Sequence, residues 1–180
     1  MTSPRIEPGG LRELGLPIWA LSRLAGRVTK TPPPRIFTTL GRNRRLFWAW
    51  LHFAGRLMPG GRLPRVDTEL VILRVAHVRG SDYELNHHSR LGRRAGLSAA
   101  DLERVGAGPD AEGWTPRQEL LLRATDSLLA SRDVDDGLWD RLSAMLDERT
   151  CIELLLLVGH YDMLATTLHT LRVQPEGRTR

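Results

Sequence analysis

Read from its N-terminus, the chain alternates apolar stripes at helical spacing with short breaks rich in glycine and proline. Residues 1–10 hold two prolines and a glycine pair and form no pattern, so an irregular arm is expected there. In Pro17 to Lys30, Ile18, Leu21, Leu24 and Val28 recur at intervals of three and four, which predicts a helix with one apolar stripe. Thr31 and three prolines end it, because proline lacks an amide donor and favours extended backbone. Residues 35–58 predict a second helical region bent near Gly41, with Phe47, Trp50 and Leu51 inward and Trp48 and His52 off the stripe. After Pro64, the run ELVILRVAHV is apolar nearly all round. Such a run suits a helix buried on most sides or a buried strand. Its length and the lack of any partner strand favour the helix, capped by Asp67 or Thr68.

Gly80 permits a break, and Ser81 or Asp82 opens a further helix ending near Gly96. Ser98 with Asp101, and Thr115 before Pro116, mark two more helix starts. Two helices follow, from Asp135 to Leu146 and from Thr150 onward, and the last residues, QPEGRTR, predict a mobile tail. The expected fold class is therefore all-α, in a single domain.

The composition narrows the function. With 180 residues and 41% hydrophobic content, the chain is long enough for one sizeable core. No apolar run is read as a membrane span and no signal peptide is recognised, so a cytoplasmic protein without membrane association is expected. A single cysteine, Cys151, cannot form an internal disulfide. The net charge of +5 hides an asymmetry. Residues 1–100 carry 17 basic and 6 acidic residues, a net of +11, and residues 101–180 carry 9 and 15, a net of −6. Complementary halves favour attraction within or between subunits over nucleic-acid binding.

Within Asp67 to Gly96, Glu69, His77, Ser81, Glu84, His87 and His88 interrupt the apolar run. Buried carboxylates and imidazoles are costly unless paired, so the cluster is either a structural network or an active site. On a helix begun at Ser81, residues Ser81, Glu84 and His88 share a face, and Glu84 and His88 are an i, i+4 pair suited to proton transfer. The plainer alternative makes Ser81 a cap, Glu84 its capping-box partner and His88 a satisfied core residue. A metal set from Glu84, His87 and His88, or from His77, Ser81 and Glu84, is incomplete, because adjacent histidines diverge on a helix; no metal is expected. Ser81 lacks the G-x-S-x-G surround of a hydrolytic nucleophile, and no phosphate-binding glycine loop occurs.

The segment ELVILRVAHVRGSDYELNHHSRLGRRAGLS, with the late LLLLVGHYDMLATTLHTL, resembles the carboxymuconolactone decarboxylase family in its alkylhydroperoxidase D-like branch. The resemblance covers roughly residues 40 to 173. It implies an all-helical bundle over 36–173, preceded by an arm and first helix over 1–35 and followed by a tail over 174–180. It also implies homo-oligomers such as dimers, trimers or hexamers.

In the redox members of that family a glutamate, two cysteines of a CxxC pair and a histidine fall where Glu69, Ser81, Glu84 and His88 stand here. Both sulfurs are therefore missing. A serine cannot cycle through a disulfide and a carboxylate cannot resolve one, so dithiol peroxidase activity is not expected. The resemblance points instead to a cofactor-independent acid–base enzyme of decarboxylase or lactone-processing type acting on a small organic acid. Glu69, Glu84 and His88 would be its catalytic residues, and Ser81, His87 and Tyr161 would contact the substrate. His160, Tyr161 and Asp162 follow Gly159 in a place similar to a G-Y-Y-N-like stretch of the family, which implies either lining of the same pocket or, for Tyr161, core packing with a satisfied hydroxyl. The alternative is a non-catalytic scaffold or small-molecule-binding protein that kept the fold.

Overall fold

The structure, a computed structural model, describes residues 3–176; the end of the predicted tail, 177–180, lies outside them. Every regular element among the described residues is a helix. In order these are α1 (Leu11–Thr29), α2 (Arg35–Leu40), α3 (Arg44–Leu57), α4 (Arg65–Val78), α5 (Asp82–Ala95), α6 (Ala99–Ala107), α7 (Pro116–Ser131), α8 (Asp136–Met145) and α9 (Glu148–Leu171). The chain divides into two compact units, Met1–Ala54 with Thr167–Arg180, and Gly55–Thr166.

In the first unit, Leu14, Ile18 and Phe47 form a buried core backed by Phe37, Leu40, Trp50 and Leu51. The aromatic rings meet edge to face, with Phe37 and Phe47 centroids 5.6 Å apart. The helix α1 starts earlier than its apolar stripe suggested and is kinked at Gly15, whose φ of 72° is easy only for glycine. Its buried line is Leu14, Ile18, Ser22 and Gly26. Leu24 and Val28, which the spacing placed on one stripe with Ile18, are instead 57% and 74% exposed. The arm before α1 is tied down by Gly9 N–H donating to the Thr38 carbonyl at 2.8 Å.

In the second unit α4 is the central rod, packed against α5, α6 and α7. Nine of its 14 residues are buried, including Asp67, Thr68 and Glu69, which explains an apolar run with no polar stripe. Leu70 and Leu73 join Leu97, Val105 and Leu122 in the core. The helix begins at Arg65, directly after Pro64, so neither Asp67 nor Thr68 caps it. Asp67 is instead a buried partner of Arg117 on α7, at 2.7 Å. The starts of α6 and α7 are as predicted, since Ser98 and Thr115 each accept from the backbone three residues on and close capping boxes.

The turn before α4 is held by a carboxylate. Glu153 of α9 accepts from the backbone amides of Arg62 and Leu63, each at 2.9 Å to Oε1. Gly61 lies so close that a Cβ there would stand 2.5 Å from Glu153 Oε1 and from the Leu57 carbonyl. By length and composition α9, with 24 residues, is apolar enough to cross a membrane, contrary to the reading of its sequence. Half of that apolar window is buried inside the protein.

Candidate functional site

The site grows from the packing of α4 on α5. Both helices place a polar side chain toward the shared interface, and Gly92, one turn beyond His88, lets them approach closely. A Cβ at Gly92 would stand 2.9 Å from Leu97 and 3.3 Å from Leu73. At the crossing, His88 Nδ1 lies 2.7 Å from Glu69 Oε2 and His88 Nε2 lies 3.1 Å from Glu84 Oε2. Arg65, one turn before Glu69, brings Nη2 to 2.7 Å from Glu69 Oε1, an ionic contact without the alignment of a hydrogen bond. The four groups form a line of alternating charge: guanidinium, carboxylate, imidazole, carboxylate.

An ionised carboxylate only accepts hydrogen bonds, so a ring with one at each nitrogen must carry a proton on both. His88 is therefore an imidazolium donating to Glu69 and to Glu84. Burial pulls its pKa down, but the hydrogen bonds to the two carboxylates outweigh burial and hold it up at about 9. The side chains of Glu69, His88 and Glu84 are 0%, 3% and 4% exposed. Only Arg65, at 36%, reaches solvent, so the line is sealed except at its guanidinium end.

Tyr161 of α9 covers the imidazole. Its ring stands edge-on to His88, centroids 5.2 Å apart at 88°, and its hydroxyl donates to the Met58 thioether at 3.6 Å. Burial, then the Glu84 and Glu69 carboxylates, raise the phenol well above its usual pKa, against a smaller pull from Arg65, so it stays protonated. His160, buried beside Tyr161, has its pKa lowered by burial against the opposing field of Glu84.

The structure thus brings together Glu69, Glu84, His88 and Tyr161. Ser81 stands at the N-cap of α5 and is buried, yet its hydroxyl makes no capping hydrogen bond, and no capping box forms with Glu84. The capping alternative for Glu84 therefore fails, because its carboxylate turns along the helix to His88. His87 is half-buried, its ring edge-on to His88 at 5.4 Å. His77 is exposed, and Asp162 leaves the site to pair with Arg79 at 2.5 Å. Among the described residues no three His, Cys, Asp or Glu side chains converge as metal ligands.

Arg65 was missed from the sequence. Its signal was the i, i+4 spacing to Glu69, hidden by placing the start of α4 three or four residues late. An open groove of about 620 Å³ lies elsewhere, lined by residues including Asp110, Arg123, Asp135 and Arg141. None of the four aligned groups borders it; within it Arg123 pairs with Asp110, while Asp126 pairs with Arg74 outside it.

Residues 44–127 match the model of the carboxymuconolactone decarboxylase family. No curated protein matches the chain. Among solved structures, an uncharacterized peroxidase-related protein with an alkylhydroperoxidase AhpD core from Ralstonia eutropha JMP134 superposes with a TM-score of 0.85 at 16% identity, over 97% of this chain and 93% of that one. An uncharacterized peroxidase-related protein from Silicibacter sp. TM1040 gives 0.82 at 17% identity, over 97% and 95%. A variant of the debrominase Bmp8, in complex with 2,3,4-tribromopyrrole, gives 0.78 at 15% identity, over 99% and 94%. The chain is therefore similar to the carboxymuconolactone decarboxylase family over residues 44–127 and has an AhpD-like fold, with Cys151 as its one cysteine.

Proposed function

We propose that the chain is a cofactor-independent acid–base enzyme, of decarboxylase or lactone-processing type, in which Glu84 and His88 move a proton on a small organic acid or lactone. The carrying observation is that His88 is clamped between two carboxylates while Arg65 neutralises only one of them. Glu69, fixed by Arg65, keeps His88 charged and oriented. Glu84 is the carboxylate without a guanidinium partner, and so the group best suited to exchange a proton with a substrate.

The step balances without a cofactor. Glu84 as carboxylate accepts a proton from a carbon next to a carbonyl, leaving an enolate; returning it to a different carbon isomerises the substrate. When carbon dioxide leaves first, His88 passes its Nε2 proton to Glu84, which delivers it to the carbanion. Burial of several ionised groups costs several kcal/mol each before pairing, which a purely structural core does not require. The debrominase relative, with its bound bromopyrrole, supports the view that this fold admits a small ring compound.

A second reading, a non-catalytic scaffold or small-molecule-binding protein, is favoured by the closure of the line, whose three inner side chains are at most 4% exposed. Screening lactones and keto acids by mass spectrometry separates the two. Turnover by the wild type that disappears in Glu84→Gln and His88→Ala, with helical content intact, supports the enzyme. Turnover that survives both changes removes the proton-transfer model, and binding without turnover favours the scaffold.

A further inference from the structure

The ion pairs of this protein are unevenly placed. Among the described residues every one joins groups between Arg62 and Asp162. Residues 11–54 carry eight basic side chains and one acidic one, Glu13, and form no ion pair among the described residues. Arg44 donates only to the backbone carbonyls of Arg12 and Glu13, at 2.8 and 3.0 Å, and Glu13 accepts from the Gly10 amide.

On the outer side of α1, Ala20, Leu24 and Val28 form an exposed line, with Arg23 and Arg27 exposed along one edge. Arg23 lies over the Trp19 ring at 4.7 Å, which holds its guanidinium in place without neutralising it. A solvent-exposed aliphatic line beside unpaired cations is the composition of a contact surface awaiting an anionic, partly apolar counterpart.

The same chain supplies one. Residues 133–148 carry six acidic side chains and one basic. On α8, Asp136, Trp139 and Asp140 are exposed at spacings of three and four and so share a face, with Trp139 at 39%. Asp136 and Asp140 join no ion pair among the described residues. We propose that the outer stripe of α1, with Arg23 and Arg27, docks on the Asp136–Trp139–Asp140 face of α8 in a second copy of this chain. The aliphatic line packs on the indole and the charges ring it, the arrangement of an apolar core with a polar rim. Each copy offers both surfaces, so the contact either closes by symmetry or runs head to tail.

Charge reversal tests this. Light scattering and sedimentation at micromolar concentration and low salt give an assembly for the wild type that loosens as salt screens the charges. Arg23→Glu with Arg27→Glu, and separately Asp136→Arg with Asp140→Arg, each raise the dissociation constant by at least about tenfold, since like charges then face one another. All four positions are exposed, so circular dichroism stays unchanged. Mixing the two reversed proteins restores association, because each carries the surface the other lacks. A wild-type monomer, reversed variants that associate like the wild type, or a mixture that stays apart would overturn the proposal. A monomer that sediments with phosphatidylglycerol vesicles would assign the stripe to lipid instead.

Discussion

His88 Nδ1 meets Glu69 Oε2 at 2.7 Å across 19 residues of sequence, and both side chains are out of water. The pair is the junction of α4 and α5 in charge as well as in packing. Folding therefore takes up a proton. The His88 pKa of about 9 in the folded chain exceeds the ordinary imidazole value near 6.5. The resulting stabilisation is complete below about pH 6.5 and is lost as the pH rises through 9, an effect of roughly 3 kcal/mol. Urea midpoints measured between about pH 6 and pH 10 should fall across that window, and His88→Gln should remove this component.

Glu69 lies between two cations, Arg65 and His88. Replacing it with Gln keeps the shape and removes the charge both partners were paired with, at an expected cost of about 3 to 5 kcal/mol. The His88 ring should then lose its proton at lower pH, which nitrogen chemical shifts would report. An unchanged titration in Glu69→Gln would show that Glu84 alone holds the proton.

The helical class and the pairing of Glu84 with His88 were legible from residue spacing alone, and the starts of α6 and α7 from their capping residues. Contacts made across long sequence separation were not. Asp67 reads as a cap in sequence because nothing nearby shows that Arg117, 50 residues on, will take its carboxylate. Glu84 reads as a capping-box partner because the spacing to Ser81 suits it, yet the buried imidazole is the stronger attraction. The exposed turns of α1 were misjudged for a related reason: periodicity identifies an apolar line but not what covers it.

Sulfur chemistry has no second thiol here. Cys151 is buried, and burial, with a smaller effect from Asp147, pushes its pKa up and away from the reactive thiolate. Peroxide reduction with a dithiol donor should stay at background and be unchanged in Cys151→Ser. A robust rate in that variant would mean another group reduces peroxide.

Gly61 should tolerate no side chain. Its Cβ would press on the Glu153 carboxylate and the Leu57 carbonyl, so Gly61→Ala is expected to destabilise the fold by about 1 to 3 kcal/mol through overpacking. Denaturant titration measures the loss. Glu153→Ala should lower stability as well, because it strands the amides of Arg62 and Leu63.

The grip of Glu153 on those amides also limits how the covered imidazole can be reached. Glu153 and Tyr161 are eight residues apart on α9, about 12 Å along the helix. The first is anchored at the turn before α4, and the second rests on Met58 just upstream of that turn. The Glu153 carboxylate holds two backbone amides, whereas the Tyr161 hydroxyl holds a thioether, a weak acceptor, and its ring the edge of His88. Exposing the imidazole on this side therefore costs one weak hydrogen bond and a ring contact, and leaves the carboxylate that fixes the start of α4 in place.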